Sequence, residues 1–370
     1  MANAAVCIAH SPKLLELSDL NPRTAGRNKL VYALISAYGL LSKARVLETP
    51  PATKRQLQTF HSADYIDFLQ ANNECDQDDL SDEAKQFGLG YDCPIFSGMY
   101  DYVSAIAGSS LAVASTLVSG ECMVGINWHG GWHHSKKSEA AGFCYCNDIV
   151  LAILHLLTRF ERVLYIDLDV HHGDGVEEAF WLSNKVMTVS FHKYSPGFFP
   201  GTGSLDSIGA CSGRHYAINI PLDDGITDDL YRATFNAVIS EVRCRFKPLA
   251  IVLQCGADSL SGDPLGTFCL SLRGIGACVS TVLEWKLPTL LLGGGGYNFP
   301  NTARLWTYCT ALALGEELDN DIPEHEWYDQ YGADYQLHIT PANRQNKNTQ
   351  SKIDELLQAT SLQRLPRVWR

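Results

Sequence analysis

Three aspartates, two histidines and two glycines fall within the nine residues Asp167-Leu168-Asp169-Val170-His171-His172-Gly173-Asp174-Gly175. Carboxylate oxygens and imidazole nitrogens this close together suit a borderline divalent metal, zinc first. A lone Asp-x-Asp would read as a turn whose carboxylates cap backbone amides; the density of donors here favours ligation. If the segment is a strand, period-2 alternation puts Asp167, Asp169 and His171 on one face. A catalytic zinc takes about three protein ligands and keeps one position open. Asp169, His171 and the distant Asp258, in Gln254-Cys255-Gly256-Ala257-Asp258, supply such a set, although Asp258 alone also reads as a helix N-cap.

Proton transfer has its own candidates. His133 and His134 are adjacent, and a histidine used as a base needs its second nitrogen fixed by a carboxylate. Asp167 and Asp174 remain uncommitted for that purpose, one for each imidazole; a hydrogen-bonded core pair is the competing reading. Tyr297 follows the four glycines Gly293-Gly294-Gly295-Gly296, which let the backbone pass tightly beneath a cavity and leave the phenol free to donate to a developing oxyanion. A phosphate-cradling loop fails for want of a GK[ST] or GxGxxG context. Phe143 and Phe199 lie on Gly-rich loops, where they wall a narrow apolar channel unless they are ordinary core aromatics. Asp92 follows an irregular Gly-rich segment able to bring it to a site rim. Arg27 reads either as a solvated charge or as a site residue.

The elements that must position these groups alternate regularly. Val6 to Ile8, Val124 to Trp128, Val163 to Val170, Val186 to Phe191, Tyr216 to Ile220, Ala250 to Gln254 and Thr289 to Leu292 are apolar runs bounded by turns. Helical patterns separate them: Arg23 to Leu41, one starting at Phe60 to Tyr65, Tyr100 to Val118 and Asn147 to Phe160. The polar, acidic run Asn73 to Glu83 reads as a solvated loop. Neither repeats nor low-complexity linkers interrupt the pattern. The expected fold is α/β: one domain over residues 1–370, three layers, with a mainly parallel multi-stranded sheet flanked by helices. The loops at the carboxyl ends of the strands then build the site.

Composition narrows the class. Across 370 residues, 46% are hydrophobic and 19% charged, enough for a large core, and the net charge of -12 disfavours nucleic acid and anionic membrane and suits cationic, Lys-rich partners. The amino terminus lacks the pattern of a signal peptide and no stretch reads as a membrane span, so an intracellular location is expected. The twelve cysteines, without a CxxC pair, are then expected to be reduced thiols.

Gly130-Gly131-Trp132-His133-His134, the Asp167-to-Gly175 stretch and Gly293-to-Asn298 together resemble the zinc-dependent class I histone deacetylases, from about Ala25 to about Thr340, an arginase/deacetylase-like fold. Trp132, Ser195-Pro196-Gly197-Phe198-Phe199 and Gly262-Asp263-Pro264 resemble one branch whose chains lack a long tail. The resemblance implies zinc, with ferrous iron as the other candidate, on Asp169, His171 and Asp258. It makes His134, paired with Asp174, the general base and acid, and His133, paired with Asp167, a charge stabiliser. Tyr297 would hold the substrate carbonyl and Asp92 the substrate backbone, with Gly142, Phe143, Phe199 and Leu265 along the substrate channel. Two potassium sites are implied, one on Asp167, Asp169, His171, Ser190 and Phe191, the other on Phe180, Ser183, Val186 and Tyr216. Arg27 with Gly294, Gly295 and Gly296 would line an internal channel for acetate. Departures are Leu265 where that branch has methionine, Lys29 where it can carry a phosphorylatable serine, and the rim segment Asp76 to Asp82.

The expected function is zinc-dependent removal of acetyl groups from Nε-acetyl-lysine, releasing acetate. The implied partners are acetylated histone tails and non-histone proteins of the cohesin type, together with hydroxamate inhibitors, in nucleus and cytoplasm. An acetylpolyamine or small-amide deacetylase keeps the same fold. A silent acetyl-lysine-binding scaffold is disfavoured by the presence of His133, His134 and Tyr297 together, and a di-manganese site of the arginase type would need more acidic ligands.

Overall fold

The computed structural model describes residues 5–75 and 81–360. Eight strands form one sheet: β1 (Ala5–Ala9), β2 (Arg45–Leu47), β3 (Cys122–Asn127), β4 (Val163–Asp167), β5 (Val186–Lys193), β6 (Ala217–Leu222), β7 (Ala250–Gln254) and β8 (Thr289–Leu292). Their order is β2-β1-β3-β8-β7-β4-β5-β6, and every pairing is parallel. Strands buried on both faces read as continuous apolar runs, which is why Ala250–Gln254 and Val163–Asp167 carry no alternation of polarity.

Two apolar layers cover the faces. Leu164 and Ile166 of β4 join the helices Arg27–Ala37, Asp228–Phe246, Leu272–Leu283 and Phe299–Leu314, whereas Val163 and Tyr165 join Met99–Ser119 and Asp148–Leu156. The Met99–Ser119 helix is long and apolar enough to cross a membrane by length and composition, but 72% of its most apolar window is buried. Its small residues permit that close seat: Gly108 lies so near the Pro50–Ala52 backbone that an added Cβ would sit 2.2 Å from the Pro50 carbonyl oxygen.

Several expectations change. β4 ends at Asp167, not Val170, although Leu168 and Val170 stay fully buried in the core. The helix read as Arg23 to Leu41 is trimmed to Arg27–Ala37 by Gly26 and Gly39, both with positive φ. β2, a three-residue edge strand with two exposed positions, lacks any periodic signal. The acidic run ends in a short helix, Asp82–Gln86, capped by Ser81; of the rim segment, residues 76–80 lie outside the described residues. Cys7 and Cys122, on neighbouring strands, form a disulfide, and the other ten cysteines are free, so the expectation of thiols throughout is corrected at that pair.

Candidate active site

The four central strands β3, β8, β7 and β4 are neighbours, and their carboxyl ends carry the four chemistry-bearing loops. The first loop leaves β3. Asp148 at the start of its helix accepts the Gly131 and Trp132 N–H groups at 3.0 and 2.9 Å, and Asn147 donates to the Ser135 carbonyl at 2.9 Å. These contacts fix the backbone around His133 and His134. The signal in the sequence was an Asn-Asp pair at a helix start, but the use of Asp148 as a loop anchor was not foreseen.

Asp167, the last residue of β4, faces His133: its Oδ2 is 2.7 Å from Nδ1 and accepts the Tyr165 hydroxyl at 2.6 Å. Asp174, in the first turn of its helix, is 2.6 Å from His134 Nδ1. The two imidazole–carboxylate pairs expected from the sequence are therefore both formed, with the rings 4.0 Å apart.

Beyond β4 the chain turns out of the sheet, so Asp169 and His171 meet Asp258 by loop geometry and not by strand alternation. His171 Nδ1 lies 3.1 Å from Asp169 Oδ1 and 3.0 Å from Asp258 Oδ2, across 87 residues of sequence. Among the described residues, these three are the one set of metal-binding side chains whose ligand atoms all fall within 4.8 Å of one another. Their free oxygens are oriented by Gln254 Nε2 and Gly295 N, each 2.8 Å from Asp169 Oδ2, and by Val170 N, 3.0 Å from Asp258 Oδ1. Such supporting bonds orient ligands in metal sites. The glycine run is required for this approach, since a Cβ on Gly295 would sit 2.1 Å from Asp258 Oδ2.

The charges of the set fit a cation. Burial pushes Asp258 up, Asp169 pushes it further and His171 opposes, leaving it at about 8. Burial lowers His171, but hydrogen bonds and charge from Asp169 and Asp258 carry it up to about 10. Burial disfavours a charge on Asp169 as well, but His133 and His171 hold it ionised, well below the usual carboxylate range. Asp258 and His171 thus retain protons in place of a metal's positive charge, and a divalent ion would displace them. Burial also opposes a charge on His133, yet Asp167 and Asp169 raise it to about 9. His134 goes the other way: burial and the neighbouring His133 lower it to about 4 in spite of Asp174.

A cavity of about 270 Å³ opens over this floor. His134, His171 and Tyr297 line its depth, and Gly142, Phe143, Phe198, Phe199, Leu265 and Asp92 line its walls and mouth. Gly142 belongs there because a Cβ would lie 2.5 Å from the His134 ring. Phe143 meets Tyr297 edge-on at 5.6 Å, and Phe199 meets His134 edge-on at 4.9 Å. Phe198 was missed as a wall residue; it stacks on His171 at 5.2 Å and is the direct neighbour of the aromatic that sequence reasoning selected. Arg27 is fully buried: Nη1 donates to the Gly294 and Gly296 carbonyls at 2.9 and 3.2 Å, and the guanidinium lies over Trp306 and Trp132. Lys29, by contrast, is a surface residue paired with Asp19.

Among the potassium candidates, Ser190 is in register with Asp167 across β4 and β5. Phe180, Ser183 and Val186 lie around the turn entering β5, where the Ser183 N–H donates to the Phe180 carbonyl at 2.8 Å, and the Tyr216 carbonyl accepts the Thr188 N–H at 3.0 Å.

The sequence model of the histone deacetylase domain matches residues 21–313. The chain is 50% identical over 352 residues to "Histone deacetylase 8" of Xenopus tropicalis, covering 95% of each chain. It is 46% identical over 353 residues to "Histone deacetylase 8" of Danio rerio, covering 95% of this chain and 93% of that one. Against "Histone deacetylase 19" of Arabidopsis thaliana it is 48% identical over 353 residues, 95% of this chain and 70% of the relative.

Proposed function

Because the chain belongs to the histone deacetylase family, and is therefore a hydrolytic lysine deacetylase, we propose that Asp169, His171 and Asp258 hold a single zinc ion, or ferrous iron, and that the surrounding residues carry the proton and charge movements of amide hydrolysis. The observation that carries this reading is the convergence of the ligand set, His134 and Tyr297 at the floor of one cavity. The whole chain, residues 1–370, acts as one catalytic domain.

When bound, the metal supplies Lewis-acid polarisation of the acetyl carbonyl and a lowered pKa for the attacking water. The acetylated side chain threads between Phe143 and Phe199, its methylenes against the rings, with Gly142, Phe198 and Leu265 completing the shaft. Asp92 at the mouth accepts from the substrate backbone. His134, held neutral, takes a proton from water and returns it to the departing lysine amine, so that one amide and one water become one amine and one acetic acid, whose remaining proton passes to the amine in water to leave acetate and the lysine ammonium. Tyr297 donates its hydroxyl to the tetrahedral oxyanion, and His133, held protonated by Asp167, stabilises the developing charge.

Potassium on Asp167, Asp169, His171, Ser190 and Phe191, and on Phe180, Ser183, Val186 and Tyr216, would brace the loop behind the ligands. Acetate leaves beneath Gly294, Gly295 and Gly296 past Arg27. Acetylated histone tails and other acetylated proteins, in nucleus and cytoplasm, are the substrates this reading favours, with transcription as the process regulated; hydroxamates would inhibit by chelation. The polyamine and silent-scaffold alternatives have no support in the relatives, whose names are those of histone deacetylases. Turnover of a fluorogenic acetyl-lysine peptide should vanish on chelation and return with zinc. Activity that survives complete metal removal, or that is confined to acetylspermidine, overturns the proposal.

A further inference from the structure

Tyr297 has little to hold it locally. It follows a glycine run in which Gly294 and Gly296 adopt φ of +144° and +136°, conformations that glycine reaches and other residues rarely adopt. Upstream, Arg27 grips the carbonyls of these two glycines. Downstream, the backbone is gripped by a carboxylate from another loop. Asp263 Oδ2 accepts the Tyr297 N–H at 2.7 Å and the Asn298 N–H at 3.1 Å, while Oδ1 accepts the Leu265 N–H at 2.9 Å. Asp263 is 7% exposed, and the same two segments are joined again by Asn298 Nδ2 to the Gly262 carbonyl at 3.3 Å.

We propose that Asp263 is a positioning residue for the reaction, clamping the tyrosine loop to the cavity rim so that the Tyr297 hydroxyl is held where the oxyanion forms. The inference rests on the reading of Tyr297 as the oxyanion donor. A carboxylate accepts on both oxygens, so it can serve Leu265 on one side and Tyr297 with Asn298 on the other; no neutral side chain of the same size does both. Asn298 is also the N-cap of Phe299–Leu314, its Oδ1 accepting from Asn301 N at 3.2 Å. The clamp therefore fixes the tyrosine between a rigid helix and the rim, and it acts on the N–H of the catalytic residue itself.

The test is a cycle of four metal-loaded enzymes, wild type, Asp263→Asn, Tyr297→Phe and the double variant, assayed on an acetyl-lysine peptide with metal content and melting temperature recorded. A misplacement of about 1 Å in a catalytic group costs up to roughly 10²-fold. Asp263→Asn should therefore lower kcat by about 10-fold or more, with KM within about twofold and metal retained. In the Tyr297→Phe background the same change should cost less than about twofold, because the hydroxyl it positions is gone. Equal losses in both backgrounds, or an unchanged kcat in the single variant, overturn the proposal. A Tyr297→Phe enzyme as active as wild type instead removes the oxyanion role on which it rests. If Asp263→Asn does not fold, Asp263→Glu, which keeps the charge but shifts it by one methylene, is read by the same cycle.

Discussion

The strand end that carries Asp167 and the helix start that carries Asp174 each offer a carboxylate to an imidazole, at 2.7 and 2.6 Å, and the two histidines are consecutive. Their protonation is nevertheless opposite: His133 is raised to about 9 and His134 lowered to about 4. The cause lies in what else each ring faces. His133 feels Asp169 as well as Asp167, its Nε2 lying 3.9 Å from Asp169 Oδ2. His134 is lowered first by burial and then by the charge of His133 and His171, which together outweigh Asp174. His61, a buried ring with no carboxylate partner, is lowered to about 4 by desolvation although the backbone at Lys137 and Lys136 raises it. The comparison teaches that a carboxylate on Nδ1 orients an imidazole but does not by itself charge it; the net field does. One fold thus keeps a lowered and a raised imidazole side by side.

The largest effect expected from this asymmetry is in the single variants. His134→Ala should lower kcat/KM by roughly 10²- to 10⁴-fold, the usual value of a positioned base. His133→Ala should cost less than His134→Ala, because it removes charge stabilisation but leaves the base. Steady-state kinetics with metal content checked decides the order; equal losses would erase the distinction.

The pH profile sharpens it next. The proposed mechanism needs His134 neutral and His133 charged, so the rate should fall as pH drops toward about 4 and as it rises through about 9. Asp167→Asn removes an attraction that raises His133, and the alkaline limb should then move to lower pH by about a unit. An alkaline limb that stays in place would detach it from His133.

Stability supplies the control for burial without a carboxylate partner. His61 is folded as a neutral ring whose Nε2 accepts the Asn147 N–H at 3.0 Å. Its pKa is depressed in the folded state, so its contribution is complete above the unfolded value near 6.5 and is lost as pH falls toward about 4. Up to roughly 3 kcal/mol should disappear across that window. Denaturant unfolding at several pH values reads it, and His61→Gln should flatten the slope. The smallest effect is expected at Tyr165→Phe, which deletes the hydroxyl on Asp167: about 1 kcal/mol of stability and little change in rate.

Much of this arrangement was legible in the chain. The candidate donors Asp169, His171 and Asp258, the supply of one carboxylate for each imidazole, the tyrosine and the parallel sheet follow from residue types, glycine placement and apolar runs, whereas the assignment of Asp167 to His133 and Asp174 to His134 came from the family resemblance. Other features were hidden for physical reasons. Leu168 and Val170 continue the apolar pattern of β4 because they remain in the core after the chain has left the sheet, so periodicity overran the strand end. Phe198, Asp148 and Asp263 act through contacts with segments far away in sequence, which local pattern does not encode. Arg27 read from local pattern as either a solvated charge or a site residue, and the fold decided it by burying the guanidinium over Trp132 and Trp306.

By itself the amino-acid sequence determined which donors exist, which segments are buried and which loops are free to bend, since these depend on side-chain chemistry and local backbone preference. Only the tertiary structure decided which carboxylate meets which ring, and hence which histidine is charged. That outcome depends on distances of a few ångströms between residues as much as 87 positions apart, within an interior dry enough for each of those charges to be felt.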